Sequence, residues 1–265
     1  MKKAYLVFLV MLLAACSTNP ITGKSPLILV SNAEIFPMAF QQYNQILQQE
    51  KLSTDQQQTQ TLRRVGNNIK STVERFLASQ DQLHFLDGYE WEFNLIENPQ
   101  LNAWCMPGGK VAFYTGIMPV CQNEDGIAVV MGHEITHAIA EHSAQRMTQS
   151  MIAQGLQGVG NIALNDTRYQ NVFNQLYPVG ASLGILAYSR NAELEADKIG
   201  LQLMAMSGYD PREAPKFWER MMAQSQGQTP PEFLSTHPNP GNRIAKLNAE
   251  IPKVLPLYYE AIGQK

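Results

Sequence analysis

His133-Glu134-Ile135-Thr136-His137 is the stretch whose residue types and spacing point most directly to chemistry. On a helix, residues four apart lie on one face, so both imidazoles can reach one metal ion. Zinc takes imidazole nitrogen at roughly 2.0–2.1 Å, and hydrolytic zinc sites keep three protein ligands and leave a position for water. Glu134 then faces that water rather than the metal, where it can remove a proton and later return it to a leaving amine. The competing reading is two surface histidines flanking a solvated glutamate. Against it, Ile127, Val130, Met131, Ile135 and Ile139 recur at helical spacing and place the motif inside the strongest predicted helix, Asp125 to about Gln149.

A third ligand must come from elsewhere in the chain. One zincin class uses a third histidine, in the spacing His-Glu-x-x-His-x-x-Gly-x-x-His. Here Ala140 stands at the glycine and Ser143 at the histidine, while His142 falls one residue short and is predicted to continue the helix. That class is excluded. The other class takes a glutamate from a later helix, and Glu193-Leu194-Glu195-Ala196-Asp197 offers one. Alone this would be an ordinary charged helix face. Glu193 and Asp197 are four apart, so one can bind metal while the other hydrogen-bonds a ligand histidine and fixes its tautomer. Glu195 is expected to point elsewhere, solvated or salt-bridged.

The elements that must position these groups are mostly helical. Helical apolar spacing covers residues 38–50 and 54–78, the latter through Leu62, Val65, Ile69, Val73, Phe76 and Leu77. Asp87-Gly88 turns the chain into a predicted strand, Tyr89–Ile96, where Trp91, Phe93 and Leu95 alternate with Glu92, Asn94 and Ile96. Leu101–Met106, Pro107-Gly108-Gly109 and Lys110–Thr115 read as strand, turn, strand. Residues 155–182 are rich in Gly, Asn and Gln and receive no assignment, a loop or lid being one reading. Helices are predicted to resume over Leu183–Ser207, Arg212–Gln224 and Asn242–Glu250, the last entered from the loop His237-Pro238-Asn239-Pro240-Gly241. Many helices with a small sheet predict an α+β, mainly α, domain.

The 265 residues suit one good-sized domain, and 45% apolar against 16% charged residues argues for a packed core. The formal charge is −3 and no long basic run exists, which argues against nucleic acid as a partner. Lys2 and Lys3 precede an apolar run from Ala4 to Ala15, too short to span a bilayer and patterned like a signal peptide, residues 1–15. Leu13-Ala14-Ala15-Cys16 resembles the lipobox of bacterial lipoproteins, which implies cleavage before Cys16, acylation of that residue and anchoring to a membrane. Ser17 after the cysteine matches the outer-membrane pattern. Residues 16–35, with Pro20, Gly23 and Pro26, then read as a tether to a domain over 36–265. Cys105 and Cys121 remain, and in an oxidising compartment they could pair or stay as two buried thiols.

Taken together, these residues resemble the gluzincins of the HtpX-like family, which also holds the CAAX prenyl proteases and the mitochondrial OMA-type peptidase. The likeness rests on Asn19-Pro20-Ile21-Thr22-Gly23, Asn102-Ala103-Trp104-Cys105-Met106-Pro107-Gly108-Gly109, the His133 motif, Glu193–Asp197, and Thr236-His237-Pro238 with Arg243. It covers roughly residues 16–250. It implies a zincin-like fold with a small sheet beside the active-site helix, one Zn2+ at His133, His137 and Glu193, and catalysis by Glu134. It nominates His237 and Arg243 as oxyanion donors, with His237 alternatively capping the metal at rest. It casts Asn102, Ala103, Pro107, Gly108 and Gly109 as part of an edge strand on which a polypeptide substrate can lie. The implied activity is endoproteolysis of unfolded or misassembled envelope proteins. A chaperone or assembly factor with dormant proteolysis, and a peptidoglycan metalloamidase, are the alternatives.

Overall fold

The computed structural model describes residues 18–153, 166–177, 187–224, 232–238 and 242–264. The leader, Cys16, residues 154–165 and 178–186, and the Asn239-Pro240-Gly241 part of the expected loop lie outside them. Helix α1 (Asn32–Gln49) opens on a capping box in which the Ser31 backbone N–H and hydroxyl both donate to Glu34. Helix α2 (Gln56–Ser79) starts where the Asp55 carboxylate accepts from the Gln58 N–H, and it buries Leu62, Val65, Ile69, Val73 and Leu77, the stripe its spacing predicts. The segment expected as a tether is packed on the domain at Asn19 and again from Val30 into α1.

Strands β1 (Glu92–Ile96), β2 (Ala103–Met106) and β3 (Lys110–Tyr114) lie in the order β1-β3-β2, with β1 parallel and β2 antiparallel to β3. Val111 sits between Phe93 and Cys105 in the register. The β2–β3 turn needs its glycines, since Gly108 and Gly109 have φ of +79° and +90°. The sequence alternation suggests one polar face on β1, yet both faces of the sheet are buried. Ile96, Trp104, Met106, Ala112 and Tyr114 pack with α1, while Phe93, Leu95, Cys105, Val111 and Phe113 pack with α2. Asn94, the polar residue this buries, is satisfied by donating to the Tyr43 hydroxyl at 3.0 Å and to Glu92.

A short helix α3 (Met118–Cys121) leads to α4 (Glu124–Ile139), capped by Asn123, whose side chain accepts from the Gly126 N–H; every residue from Gly126 to Ile139 is buried. The predicted helix to Gln149 is broken. Ala140 ends α4, Glu141 takes φ 57°, and a new helix α5 starts at His142 (His142–Ala153). Helix α6 (Asp166–Leu176) occupies part of the stretch that sequence left unassigned. Helices α7 (Arg190–Met206), α8 (Glu213–Ala223), α9 (Glu232–Thr236) and α10 (Arg243–Ala261) complete the order. α10 outruns its predicted end at Glu250 because Pro252 and Pro256 both face solvent, while Val254, Leu257 and Tyr258 hold its last turns to the core. No described helix is long and apolar enough to cross a membrane.

The packing that matters most for function is that of α4 on α7. Gly132 and Gly200 face each other at the crossing: a Cβ on Gly132 would lie 2.7 Å from the Gly200 carbonyl oxygen. Two glycines therefore let the backbones touch one residue before His133. Cys105 and Cys121 are both free and buried, so the pairing considered from sequence is not formed. One sits mid-strand in β2 and the other ends α3, each packed as an apolar group of the main core.

Candidate metal centre

The contact of α4 with α7 sets the site. His133 and His137 project from the last turns of α4, and Glu193 and Asp197 from the first turns of α7, all buried. His133 Nε2 lies 3.1 Å from His137 Nε2 and 3.5 Å from Glu193 Oε2, and His137 Nε2 lies 3.4 Å from Glu193 Oε1. A fourth group joins them: His237 Nδ1 is 3.1 Å from both His133 Nε2 and Glu193 Oε1. Ligands roughly 2.0–2.1 Å from a tetrahedral zinc stand about 3.3 Å apart, which is the spacing of these atoms. Three imidazoles and one carboxylate thus converge as a set that could hold a metal ion.

The outer bonds decide which ring nitrogens face inward. Asp197 Oδ1 is 3.0 Å from His133 Nδ1, so this nitrogen donates and Nε2 is the one turned toward the other groups of the cluster. Burial would lower the His133 pKa, but Asp197 and Glu193 outweigh it and lift it to about 9 without a metal. Burial would raise Glu193, yet the imidazoles of His237, His133 and His137 hold it well below the carboxylate range. His137 is pushed well below its ordinary value, chiefly by burial. With His133 raised and Glu193 held ionised, protons must hold these groups together when no cation is present; a divalent metal would take their place, and imidazole nitrogen with carboxylate oxygen is a ligand set that suits zinc.

Arg243 makes contacts that the resemblance does not nominate. Its guanidinium donates to Asp197 through Nε and Nη2, both at 2.6 Å, and to Glu193 Oε2 at 3.1 Å, and it lies 3.5 Å over the Trp218 ring. Nε and Nη2 are thus committed to two carboxylates behind the cluster, while Nη1 turns toward the His237 carbonyl at 3.5 Å. It and His133 hold the Asp197 carboxyl low against burial.

On the open side of the cluster, burial raises the Glu134 pKa; among the described residues Oε1 finds no hydrogen bond, and it faces His237 Nε2 at 3.4 Å. The cleft there is narrow, about 30 Å³, and includes Asn102, Ala103, Cys105, Tyr188 and His237 among its walls. Asn102 and Ala103 thus line the cleft beside the cluster. Pro107, Gly108 and Gly109 do not line it; they are buried, with the carbonyls of Gly108 and Gly109 accepting from Glu90 and Glu92. His237 directly follows helix α9, which is pinned to this wall by the Phe233 N–H on the Leu101 carbonyl.

Three features escaped the sequence reading. Tyr188 stacks on His137, ring centroids 3.8 Å apart. His142 does not continue α4; the turn at Glu141 brings its Nδ1 to 2.9 Å from His137 Nδ1. Glu195 is salt-bridged as expected, but its partners are His142 and Lys24. Only the aromatic and histidine content of these segments could have drawn attention to them.

A buried His-Glu-x-x-His helix crossed by a glutamate-bearing helix defines a metallopeptidase of the gluzincin type. Peptidase family M48 matches residues 64–251, most of the chain, and the protein belongs to that family. Among curated relatives, the mitochondrial metalloendopeptidase OMA1 of Schizosaccharomyces pombe is 37% identical over 183 residues, 68% of this chain and 52% of that protein. The mitochondrial metalloendopeptidase OMA1 of Bos taurus is 29% identical over 261 residues, 94% of this chain and 49% of the relative. The beta-barrel assembly-enhancing protease of Escherichia coli K12 is 32% identical over 177 residues, 64% and 36%. The chain spans about half the length of the first two.

Proposed function

We propose that this protein is a zinc-dependent endopeptidase of the bacterial envelope, lipid-anchored through Cys16 at the outer membrane and facing the periplasm, that cleaves unfolded or misassembled proteins. The observation that carries the reading is the convergence of His133, His137 and Glu193 beside the Glu134 carboxylate, with Oε1 left without a hydrogen bond. The lipobox-like sequence at Cys16 and the relative named as a beta-barrel assembly-enhancing protease support the envelope setting.

In this reading His133, His137 and Glu193 hold the ion, which supplies Lewis acidity to water and to the scissile carbonyl. Glu134 removes a proton from water, helped by a pKa raised through burial, and returns it to the leaving amine. The substrate lies along β2 at Asn102 and Ala103 and adds a strand, which reads backbone rather than side chains. His237 fills the fourth corner at rest; once displaced, it offers a ring N–H to the oxyanion. The cleft is too tight for a peptide with His237 in that corner, so opening precedes binding.

Purified protein should carry one zinc per chain by metal analysis and cleave casein, with chelation abolishing cleavage and zinc restoring it. A fully metal-free protein that still cleaves would sink the reading. An alkyne fatty acid should label wild type and not Cys16→Ser; equal labelling would remove the anchor.

A further inference from the structure

His133 and His137 are supported in different ways. Asp197 reaches His133 directly, and Arg243 locks Asp197 in place. Among the described residues, no carboxylate contacts His137 Nδ1 in this way. Its neighbour is His142 Nδ1 at 2.9 Å, and His142 Nε2 lies 3.2 Å from Glu195 Oε2. The hydrogens in this line have one consistent order. If His137 Nε2 faces a metal, Nδ1 carries the proton and donates to a bare His142 Nδ1; His142 Nε2 then carries its own proton and donates to Glu195. A neutral histidine thereby passes the pull of a carboxylate to a ligand that the carboxylate cannot touch.

The far end of the line is fastened by the N-terminal arm. Lys24 Nζ is 2.6 Å from Glu195 Oε1. Lys24 belongs to a closed turn, in which the Asn19 N–H donates to the Lys24 carbonyl and the Gly23 N–H to the Asn19 carbonyl, both at 2.8 Å. The buried Asn19 side chain holds that turn against the break between α4 and α5. Its Nδ2 donates to the Ile139 carbonyl at 2.8 Å and to Glu141 Oε2 at 3.2 Å, while Oδ1 accepts from the N–H groups of Ile21 and Thr22. The same Asn19 thus steadies Glu141, whose φ of 57° is what turns His142 onto His137.

We propose that His142 and Glu195 are positioning residues for His137, and that the Asn19–Lys24 turn clamps them, so the N-terminal arm sets how firmly the centre holds its metal. This rests on the zinc reading above. It also gives the segment that follows Cys16 a role besides reach: a pull on the arm that lifts Lys24 and Asn19 would loosen one ligand and leave the other three supported.

The test uses the full chain, zinc alone and a readout independent of turnover. In zinc-loaded wild type with 15N-histidine, NMR should find His142 protonated at Nε2 and bare at Nδ1. Zinc affinity by chelator competition should weaken by about 10–100-fold in His142→Phe and about tenfold in Glu195→Gln. It should weaken by up to about fivefold in Lys24→Ala, whose pair is exposed at the lysine. The visible bands of the Co2+-substituted protein should shift in His142→Phe. Glu195→Gln keeps shape at a partly exposed position and decides the matter if His142→Phe does not fold. A His142 protonated at Nδ1, or wild-type zinc affinity in both Glu195→Gln and a folded His142→Phe, overturns the proposal. A wild-type chain that takes up no zinc sinks this inference and the zinc reading together, whereas uptake with indifferent variants sinks this one alone.

Discussion

The rear and the front of the metal centre are built on opposite rules. At the rear, between α4, α7 and α10, every charge is answered: Asp197 by His133 and Arg243, Glu193 by the imidazoles and Arg243, and the guanidinium plane by Trp218. At the front, between β2, α5 and α9, the wall is aromatic and capacity is left over. Among the described residues, Glu134 Oε1 and Trp104 Nε1 are buried without a hydrogen bond, beside a cleft of about 30 Å³. A buried polar atom left unmatched costs about 1–3 kcal/mol. On the proposed reading that cost is tolerable where a substrate or water supplies the missing partner, and among the described residues the rear carries none of it. On the proposed reading, holding a metal and turning over a substrate fall to different walls.

The largest effect expected is at the front and should leave the rear untouched. Glu134→Gln keeps the shape and removes the base, so proteolysis should fall about 10²–10⁴-fold with zinc content and melting temperature unchanged. Near-normal cleavage, or loss of zinc, would break the division between the walls. His237 stands on both sides of it, since Nδ1 sits among the donors and Nε2 faces Glu134. X-ray absorption on zinc-loaded His237→Ala should show one nitrogen fewer around the metal. Peptide hydrolysis should still drop, by the roughly 2.7–4 kcal/mol that an oxyanion donor is worth. A faster variant would make His237 a cap and nothing more, and an unchanged one an ordinary turn residue.

A third change strikes the rear through the backbone. Gly132→Ala would put a Cβ within 2.7 Å of the Gly200 carbonyl oxygen, where only movement of α4 off α7 relieves the clash. Overpacking of this kind costs about 1–3 kcal/mol. Denaturant unfolding should show that loss together with weaker zinc binding, because separating the helices pulls His133 from Asp197 and Glu193. A stable variant with wild-type affinity would show that the glycine contact does not set the donor spacing.

What the sequence disclosed follows the same line between local and long-range causes. Spacing of four residues on a helix is local, and His133, His137, Glu193 and Asp197 were legible from it. The strand-turn-strand of Leu101–Thr115 was legible too, because Gly108-Gly109 marks its own turn. The path of His142 was not, since a non-glycine residue at φ 57° is held by Asn19, more than a hundred positions away. Arg243 shows a related limit: the family resemblance supplies its presence near the cluster, and only the packing of α10 shows that its Nε and Nη2 bond two carboxylates. The full length of α10 hid behind Pro252 and Pro256, whose placement on the solvent side is a property of the docked helix.

The smallest effect expected is none, and it concerns the two core thiols. Cys105 lies at the front in β2 and Cys121 behind it in α3, and neither forms a bond to the other. Were they joined, the bridge would close a loop of about 15 residues and add about 3 kcal/mol in the chain-entropy account. Reductant would then lower the melting temperature by several degrees. Free, they contribute only as packed apolar groups, and adding reductant should leave the transition where it was. Burial pushes both thiols up, Cys121 to about 12 and Cys105 well above its ordinary value. The reactive thiolate would therefore form only at pH far above 8, and iodoacetamide at pH 8 should spare both in the native protein. Unfolding in guanidinium without reductant should expose both to alkylation, read residue by residue by mass spectrometry so that Cys16 does not enter. A disulfide-linked Cys105–Cys121 peptide, or a melting temperature that falls with reductant, would overturn the assignment and tie the front wall covalently to α3.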